Sequence, residues 1–149
     1  MTLKEILGIK GSAVFTIQPH ETIRQALDVL VSRKIGALIV VDAKQKPVGI
    51  LSERDLMRVF REHPAHDAQA LQELPVNQFM TRKLICGRPE DDIQHIMNIM
   101  TNSRIRHVPV IADGRLAGLV SIGDIVKSLL QDSEHEIQTL KEFIYGPGI

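Results

Sequence analysis

The chain has 149 residues, 44% hydrophobic and 24% charged, and its 18 Lys and Arg balance 18 Asp and Glu. That length suits one ordinary domain, or two very small units sharing a core, with the composition of a soluble globular protein. Balanced charge argues against a broad nucleic-acid footprint, and four Phe, one Tyr and no Trp argue against a stacking platform for single strands.

Cys86 stands alone, so no intrachain disulfide or Cys-rich metal framework is expected. The opening MTLKEILGIKGSAVF lacks the apolar stretch of about 7–15 residues that a secretory leader carries. The longest apolar run, IGALIVV at 35–41, is too short to cross a bilayer. The expectation is a soluble, cytoplasmic protein with no membrane or nucleic-acid partner.

VFTI at 14–17 predicts a short strand ahead of Pro19. Thr22 and Gln25 form a capping-box pattern, and Ile23, Ala26, Leu27, Leu30 and Val31 follow with helical spacing. ALIVV (37–41) reads as a buried strand, DAKQKP as a turn, and VGIL (48–51) as a second strand. A helix then starts at Ser52 and carries Leu56, Met57, Val59 and Phe60. Residues 61–79 read as a polar linker holding Pro64 and Pro75. His63-Pro64-Ala65-His66 followed by Asp67 invites a metal reading, but its loose spacing favours a solvated loop.

The same order then returns. LIC (84–86) matches the first strand, and Asp92 opens a helix with Ile93, Ile96, Met97 and Met100 on one face, the Met residues serving as core filler. HVPVI (107–111) and AGLV (117–120) flank Asp113-Gly114, a hairpin signal of the positive-φ kind. Ser121 starts a helix with Ile125, Val126, Leu129 and Leu130. A shift of 70 aligns Pro19 with Pro89, Ile35 with Ile105 and Val40 with Val110; a shift of 69 aligns Gly49, Ser52 and Asp55 with Gly118, Ser121 and Asp124. Residues 14–60 and 84–130 are two copies of a β-α-β-β-α unit. A tail helix is expected to begin at a further capping box, Ser133 with Glu136, to present Ile137, Leu140 and Ile144, and to end at Gly146-Pro147-Gly148. It packs either on its own module or on a second copy.

The phrases GILSERD and GLVSIGD have a purely structural explanation: Ser followed three residues on by an acid caps a helix. They also suit a ligand. Gly in a strand interior marks the close approach of a backbone or ligand, a helix start offers amides to phosphate, and the Asp could accept a ribose diol. No nucleophile with its base, Walker loop or carboxylate pair is apparent, so catalysis is not expected.

The duplicated unit, the Gly-h-h-Ser-x-x-Asp phrases (h for an apolar residue), IRHVPVI at 105–111 and LPVNQFMT at 74–81 resemble a tandem pair of CBS domains, a Bateman module. The resemblance spans about residues 3–130. It implies an α/β (α+β) fold in which two repeats pack through their sheets with pseudo-twofold symmetry. The divisions are 1–69 for the first repeat with its lead-in, 70–131 for the second, and 132–149 for a C-terminal helix and tail. It also implies adenosyl ligands (AMP foremost; ADP, ATP, NAD or S-adenosylmethionine as alternatives) held between repeats.

Carried over by position, one site joins Ile50, Ser52, Arg54 and Asp55 to Leu84, Ile85, Cys86, Arg106 and His107. Asp55 would hold the ribose, Ser52, Arg54, Arg106 and His107 the phosphate, and Ile50, Leu84 and Ile85 the base. A weaker second site joins Leu119, Ser121 and Asp124 to Val14, Phe15, Thr16 and Ala37. It has Ile122-Gly123 in place of Glu53-Arg54, and Gly36-Ala37 in place of Arg106-His107. Ile39 stands where Pro109 stands in the second copy.

The resemblance implies a regulatory module, commonly a homodimer, acting on an effector protein in trans. Two alternatives remain: an assembly module with vestigial nucleotide sites, and a small NAD-linked redox regulator using Cys86.

Overall fold

The repeat signal at shifts of 70 and 69 residues becomes a repeat of backbone geometry. The computed structural model describes residues 1–64 and 67–146. His66, part of the sequence considered for metal, and the Pro147-Gly148 of the tail lie outside the described residues.

The chain opens with α1 (Leu3–Lys10), capped by Thr2, whose side chain accepts from the Glu5 amide. The first repeat follows as β1 (Thr16–Ile17), α2 (Ile23–Arg33), β2 (Ala37–Val41), β3 (Pro47–Ser52) and α3 (Glu53–Glu62). A short α4 (Ala68–Gln72) and a 3-10 turn at Val76–Gln78 lead to α5 (Ile93–Ser103), β4 (His107–Ala112), β5 (Arg115–Ser121) and α6 (Ile122–Tyr145). One sheet runs β1-β2-β3 and the other β4-β5.

Matching positions make matching bonds. Lys34 and Arg104 both close their helices in the left-handed region, at φ 55° and 53°. The Glu53 amide donates to the Gly36 carbonyl, and the Ile122 amide to the Arg106 carbonyl. The Asp113-Gly114 hairpin has the expected positive φ at both residues. In the longer first turn Asp42 instead accepts from the Lys44 and Lys46 amides.

One element is not repeated. LIC forms no strand; the parallel pairing Ile17 with Val40 survives in the second copy only as a single bridge, Gly87 with Val110. Gly87 stands where the first copy has Ile17, and a Cβ there would lie 2.6 Å from Leu3 Cδ1 of α1. A side chain from the lead-in fills the space that the strand leaves.

The lead-ins are in fact exchanged. Leu3, Ile6 and Leu7 of α1 are buried with Ile93, Ile96, Met100, Val108, Val120 and Ile125 of the second repeat. Leu71, Val76, Phe79 and Met80, which lie in or just beyond the span that reads as a polar linker, are buried with Ile23, Leu38, Leu51 and Val59 of the first. Each repeat alone is near the size at which a core becomes marginal, and each core is completed by residues that precede the other repeat.

Gly49 and Gly118 make these approaches possible. A Cβ on Gly49 would sit 2.7 Å from Met80 Sδ and 3.0 Å from the Thr81 carbonyl oxygen; one on Gly118 would sit 2.6 Å from Leu7 Cδ2.

Three helix faces differ from expectation. Val31, Met57 and Leu130 have core spacing yet are 74%, 74% and 59% exposed, because one neighbouring layer covers only part of each helix. The tail is not a separate helix. α6 continues unbroken through Ser133 to Tyr145 and is capped by Gly146 at φ 90°.

Candidate functional site

Both Ser-x-x-Asp turns are reciprocal capping boxes. Ser52 accepts from the Asp55 amide while the Asp55 side chain accepts from the Ser52 amide, and Ser121 and Asp124 do the same. The start of α3 therefore does not offer a free row of amides to phosphate. Those of Ser52, Glu53 and Asp55 are engaged by Asp55, Gly36 and Ser52.

Asp55 itself is buried, at 4% exposure. Its Oδ2 accepts from the Ser52 amide at 2.8 Å and the Ser52 hydroxyl at 3.1 Å. Its Oδ1 accepts from the Thr81 hydroxyl at 2.9 Å and lies 3.2 Å from Arg58 Nη2. Arg58 also donates to the Phe79 carbonyl at 3.0 Å. Asp55 thus pins the 79–81 lead-in, which also pairs with β3 at Ile50 and Thr81. A ribose diol could reach this carboxylate only by replacing Thr81 or Arg58.

Above Asp55 lies a cleft of about 340 Å³ between the repeats. Its wall gathers Ile50, Ser52, Arg54, Leu84, Ile85, Arg106 and His107, seven of the nine residues expected together. Gly36, Glu53, Met57, Thr81, Lys83, Arg104, Ile105 and Pro109 also line it. The volume is in the range of small-molecule sites. Arg54 crosses the junction, donating from Nη1 to the Arg104 carbonyl at 2.8 Å. The lining holds four cations, Arg54, Lys83, Arg104 and Arg106, one acid, Glu53, and several aliphatic side chains.

Asp55 and Cys86 are not among the lining residues: Asp55, expected to hold the ribose, is buried and already bonded to Ser52 and Thr81, while Cys86 is exposed, and partial desolvation pushes its thiol up. A raised thiol is less thiolate and less reactive.

His107 is half-buried at the junction, where a Cβ on Gly36 would be 3.3 Å from its ring. Burial lowers its pKa first, Lys10 and Arg106 add to that, and Glu53 and Asp124 oppose it. The imidazole is therefore neutral near pH 7, offering a hydrogen bond and leaving the positive charge to Arg and Lys.

The second expected set is arranged differently. Lys10 Nζ, at the end of α1, sits 2.6 Å from Asp124 Oδ2 and 2.8 Å from the Leu119 carbonyl oxygen. Burial works to raise the Asp124 carboxyl, but the Lys10 bond and the Ser121 cap outweigh it, and the net shift is downward. Ala37 is buried opposite Ser52 in the sheet, and Thr16 pairs with Ile39. Phe15 lies under the Arg33 guanidinium at 4.9 Å, a cation–π contact; Val14 is half-buried.

Sequence reasoning missed α1 and the lead-in contribution to the cleft. Thr2 and Glu5 do have capping-box spacing, with Leu3, Ile6 and Leu7 in helical register. Lys83, Arg104 and Thr81 carry no comparable pattern.

A β-α-β-β-α repeat and a second copy that lacks the first strand, with exchanged lead-ins and a cationic, aliphatic cleft at their junction, define a tandem-repeat α/β module with a binding cleft between repeats. The chain belongs to the CBS-domain family, which matches residues 4–62 and 76–131. It is 31% identical over 153 residues to the CBS domain-containing protein CBSX3, mitochondrial, of Arabidopsis thaliana, covering 97% of this chain and 72% of that protein. The crystal structure of the CBS-domain containing protein ATU1752 from Agrobacterium tumefaciens superposes with a TM-score of 0.80 at 38% identity, covering 87% of this chain and 99% of that one. The CBS domain pair of protein MJ0100, solved with 5′-methylthioadenosine and S-adenosyl-L-methionine, superposes with a TM-score of 0.74 at 26% identity, over 89% of this chain and 98% of that one. Among the described residues no helix is long and apolar enough to cross a membrane, and no group of three or more His, Cys, Asp or Glu could hold a metal ion.

Proposed function

We propose that the chain is a regulatory module that binds an adenosyl ligand in the cleft above Asp55 and passes the bound state to a partner protein. The observation that carries this reading is the cleft itself, whose lining combines aliphatic side chains with four cations. Ile50, Leu84, Ile85 and Pro109 offer the base an aliphatic slot. Arg54, Lys83, Arg104 and Arg106 offer a phosphate, or the carboxylate of S-adenosylmethionine, its counter-charge. AMP fits this division best, since it carries one phosphate for one cationic rim.

Ser52 and Thr81 present hydroxyls to the sugar. The diol gains Asp55 by displacing the Thr81 hydroxyl. Ligand binding would then compete with the contact that pins the 79–81 lead-in, which gives the ligand differential affinity for two states of that segment. Such a difference is what a population shift requires. Binding rather than catalysis is the reading because the cleft offers cations and hydroxyls but no nucleophile activated by a base.

The second reading is an assembly module without a ligand, favoured by the complete satisfaction of Asp55 inside the protein. Thermal unfolding with AMP, ATP, NAD, S-adenosylmethionine and methylthioadenosine separates the two, with Arg106→Ala as control because Arg106 is exposed and lines the cleft. A ligand at 100 times its Kd adds about 2.7 kcal/mol, a rise of roughly 5–11 °C for a chain of this size. A rise with an adenosyl ligand that shrinks in Arg106→Ala supports the sensor. No rise with any of the five, in ligand-free protein, leaves assembly as the function.

A further inference from the structure

Glu53 is the one acid among the residues that line the cleft, beside Arg54, Lys83, Arg104 and Arg106. Neither it nor any of these four cations enters an ion pair among the described residues. A carboxylate that no cation neutralises keeps its field for whatever enters the cleft.

Helix capping does not account for it. Acids favour the first turn of a helix, where Glu53 stands. The second copy nevertheless has Ile122 at this position, under the same kind of Ser cap. The amide bond is also the same, Ile122 to the Arg106 carbonyl as Glu53 to the Gly36 carbonyl. The turn is complete without an acid here.

The carboxylate stands where the cleft meets a second hollow. A Cβ on Gly36 would lie 3.6 Å from Glu53 Oε1 and 3.3 Å from both Cε1 and Nε2 of His107. Acid and imidazole thus converge on a glycine that leaves them room, and the charge of Glu53 opposes the burial that lowers His107. The neighbouring hollow is formed by Leu27, Leu30, Val31, Ile35 and Leu56, with Lys34 as its one lining cation. Gly36 and Glu53 line both spaces. A ligand that outgrows the cleft in this direction must pass Glu53, and Lys34 beyond it only balances that acid.

We propose that Glu53 is a specificity-determining residue that limits the ligand to one phosphate, so that the cleft takes a nucleoside monophosphate and turns away di- and triphosphates. This rests on the reading of the cleft as an adenosyl-ligand site. The first phosphate is met by the arginines. Each further phosphate adds negative charge at the end where Glu53 already supplies it, and like charges in a partly desolvated space repel strongly.

The test is calorimetric titration of AMP, ADP and ATP in magnesium-free buffer, where the nucleotides keep their full charge, into wild type, Glu53→Gln and Glu53→Asp. Glu53 is exposed and Gln keeps its shape, so the folded state is retained. Wild type is expected to bind AMP more tightly than ADP, and ADP more tightly than ATP. Glu53→Gln should gain roughly tenfold in affinity for ATP and less than about threefold for AMP. Glu53→Asp keeps the charge and should keep the wild-type order. A wild type that binds ATP as tightly as AMP overturns the proposal, as does an AMP-to-ATP ratio that Glu53→Gln leaves unchanged. A ratio that shifts equally in Glu53→Asp also overturns it, because shape and not charge would then select. In each of these cases AMP still binds and the cleft reading stands. If none of the three nucleotides binds any form, the cleft reading itself fails and takes this proposal with it.

Discussion

The two Ser-x-x-Asp turns are alike in sequence and in capping geometry, yet their carboxylates serve different ends. Asp55 is 4% exposed and holds Ser52, Thr81 and Arg58. The side chain of Asp124 is 25% exposed and holds a lysine from the far end of α1. The difference comes from what each exchanged lead-in brings. Residues 79–81 bring Met80 onto Gly49 and a hydroxyl onto Asp55, leaving an open cationic cleft above. α1 brings Leu7 onto Gly118 and Lys10 onto Asp124, placing a cation where a ligand would seek the acid. Duplication set the frame, and the segments outside it decided what each acid holds.

The sharpest way to break this comparison is to remove each acid. Asp55→Ala strips a buried cap and orphans the Ser52 amide and the Thr81 hydroxyl, each worth about 1–3 kcal/mol when left without a partner. The summed loss should be about 2–6 kcal/mol in denaturant unfolding. Asp124→Ala loses a cap in a more solvated site, about 0.5–2 kcal/mol. Equal losses would mean that burial of the two acids does not distinguish them.

Next come the glycines. Gly49→Ala meets both a side chain and the Thr81 backbone, whereas Gly118→Ala meets only Leu7, which can turn aside. Overpacking of this kind costs about 1–3 kcal/mol, and Gly49→Ala should fall at the upper end and Gly118→Ala at the lower. The unfolding midpoints of the two variants give the order directly.

Lys10→Ala should be smaller in stability, less than about 1 kcal/mol, because both partners are partly solvated. Its larger consequence is functional: it uncovers Asp124, and a second ligand response would then appear where wild type has one.

Acidity separates the clefts again. His107 has a lowered pKa, so the unfolded chain takes up that proton first, and stability should decline as pH falls below about 6.5. Asp124 is also lowered, and the sense is the same at a lower pH window. Its contribution is complete above its ordinary value near 3.8 and is lost as pH falls from there through the folded value. His107→Gln should flatten the first limb and Lys10→Ala the second, both visible in urea midpoints across pH.

Much of this was legible in the sequence. The repeat at shifts of 70 and 69, the caps at Thr22, Ser52, Asp92 and Ser121, and the Asp113-Gly114 turn are local signals that short-range physics determines. Seven cleft residues followed from motif positions carried across the repeats. The exchange of lead-ins was not legible, because Leu7 and Met80 are ordinary apolar residues whose partners lie about 110 and 30 positions away. For the same reason the sequence could not show that Thr81 and Arg58 already occupy Asp55, or that Lys10 occupies Asp124. Val31 and Met57 misled because helical spacing identifies a face without showing whether anything covers it.

The most direct test of the central claim is calorimetric titration of AMP into wild type, Arg106→Ala and Lys10→Ala. The account predicts one site per chain in wild type. It predicts a loss of roughly 10- to 150-fold in affinity in Arg106→Ala, the range for a charge-assisted bond, and an intact first site in Lys10→Ala. Two equivalent sites in wild type, or a single site indifferent to Arg106→Ala, would contradict it.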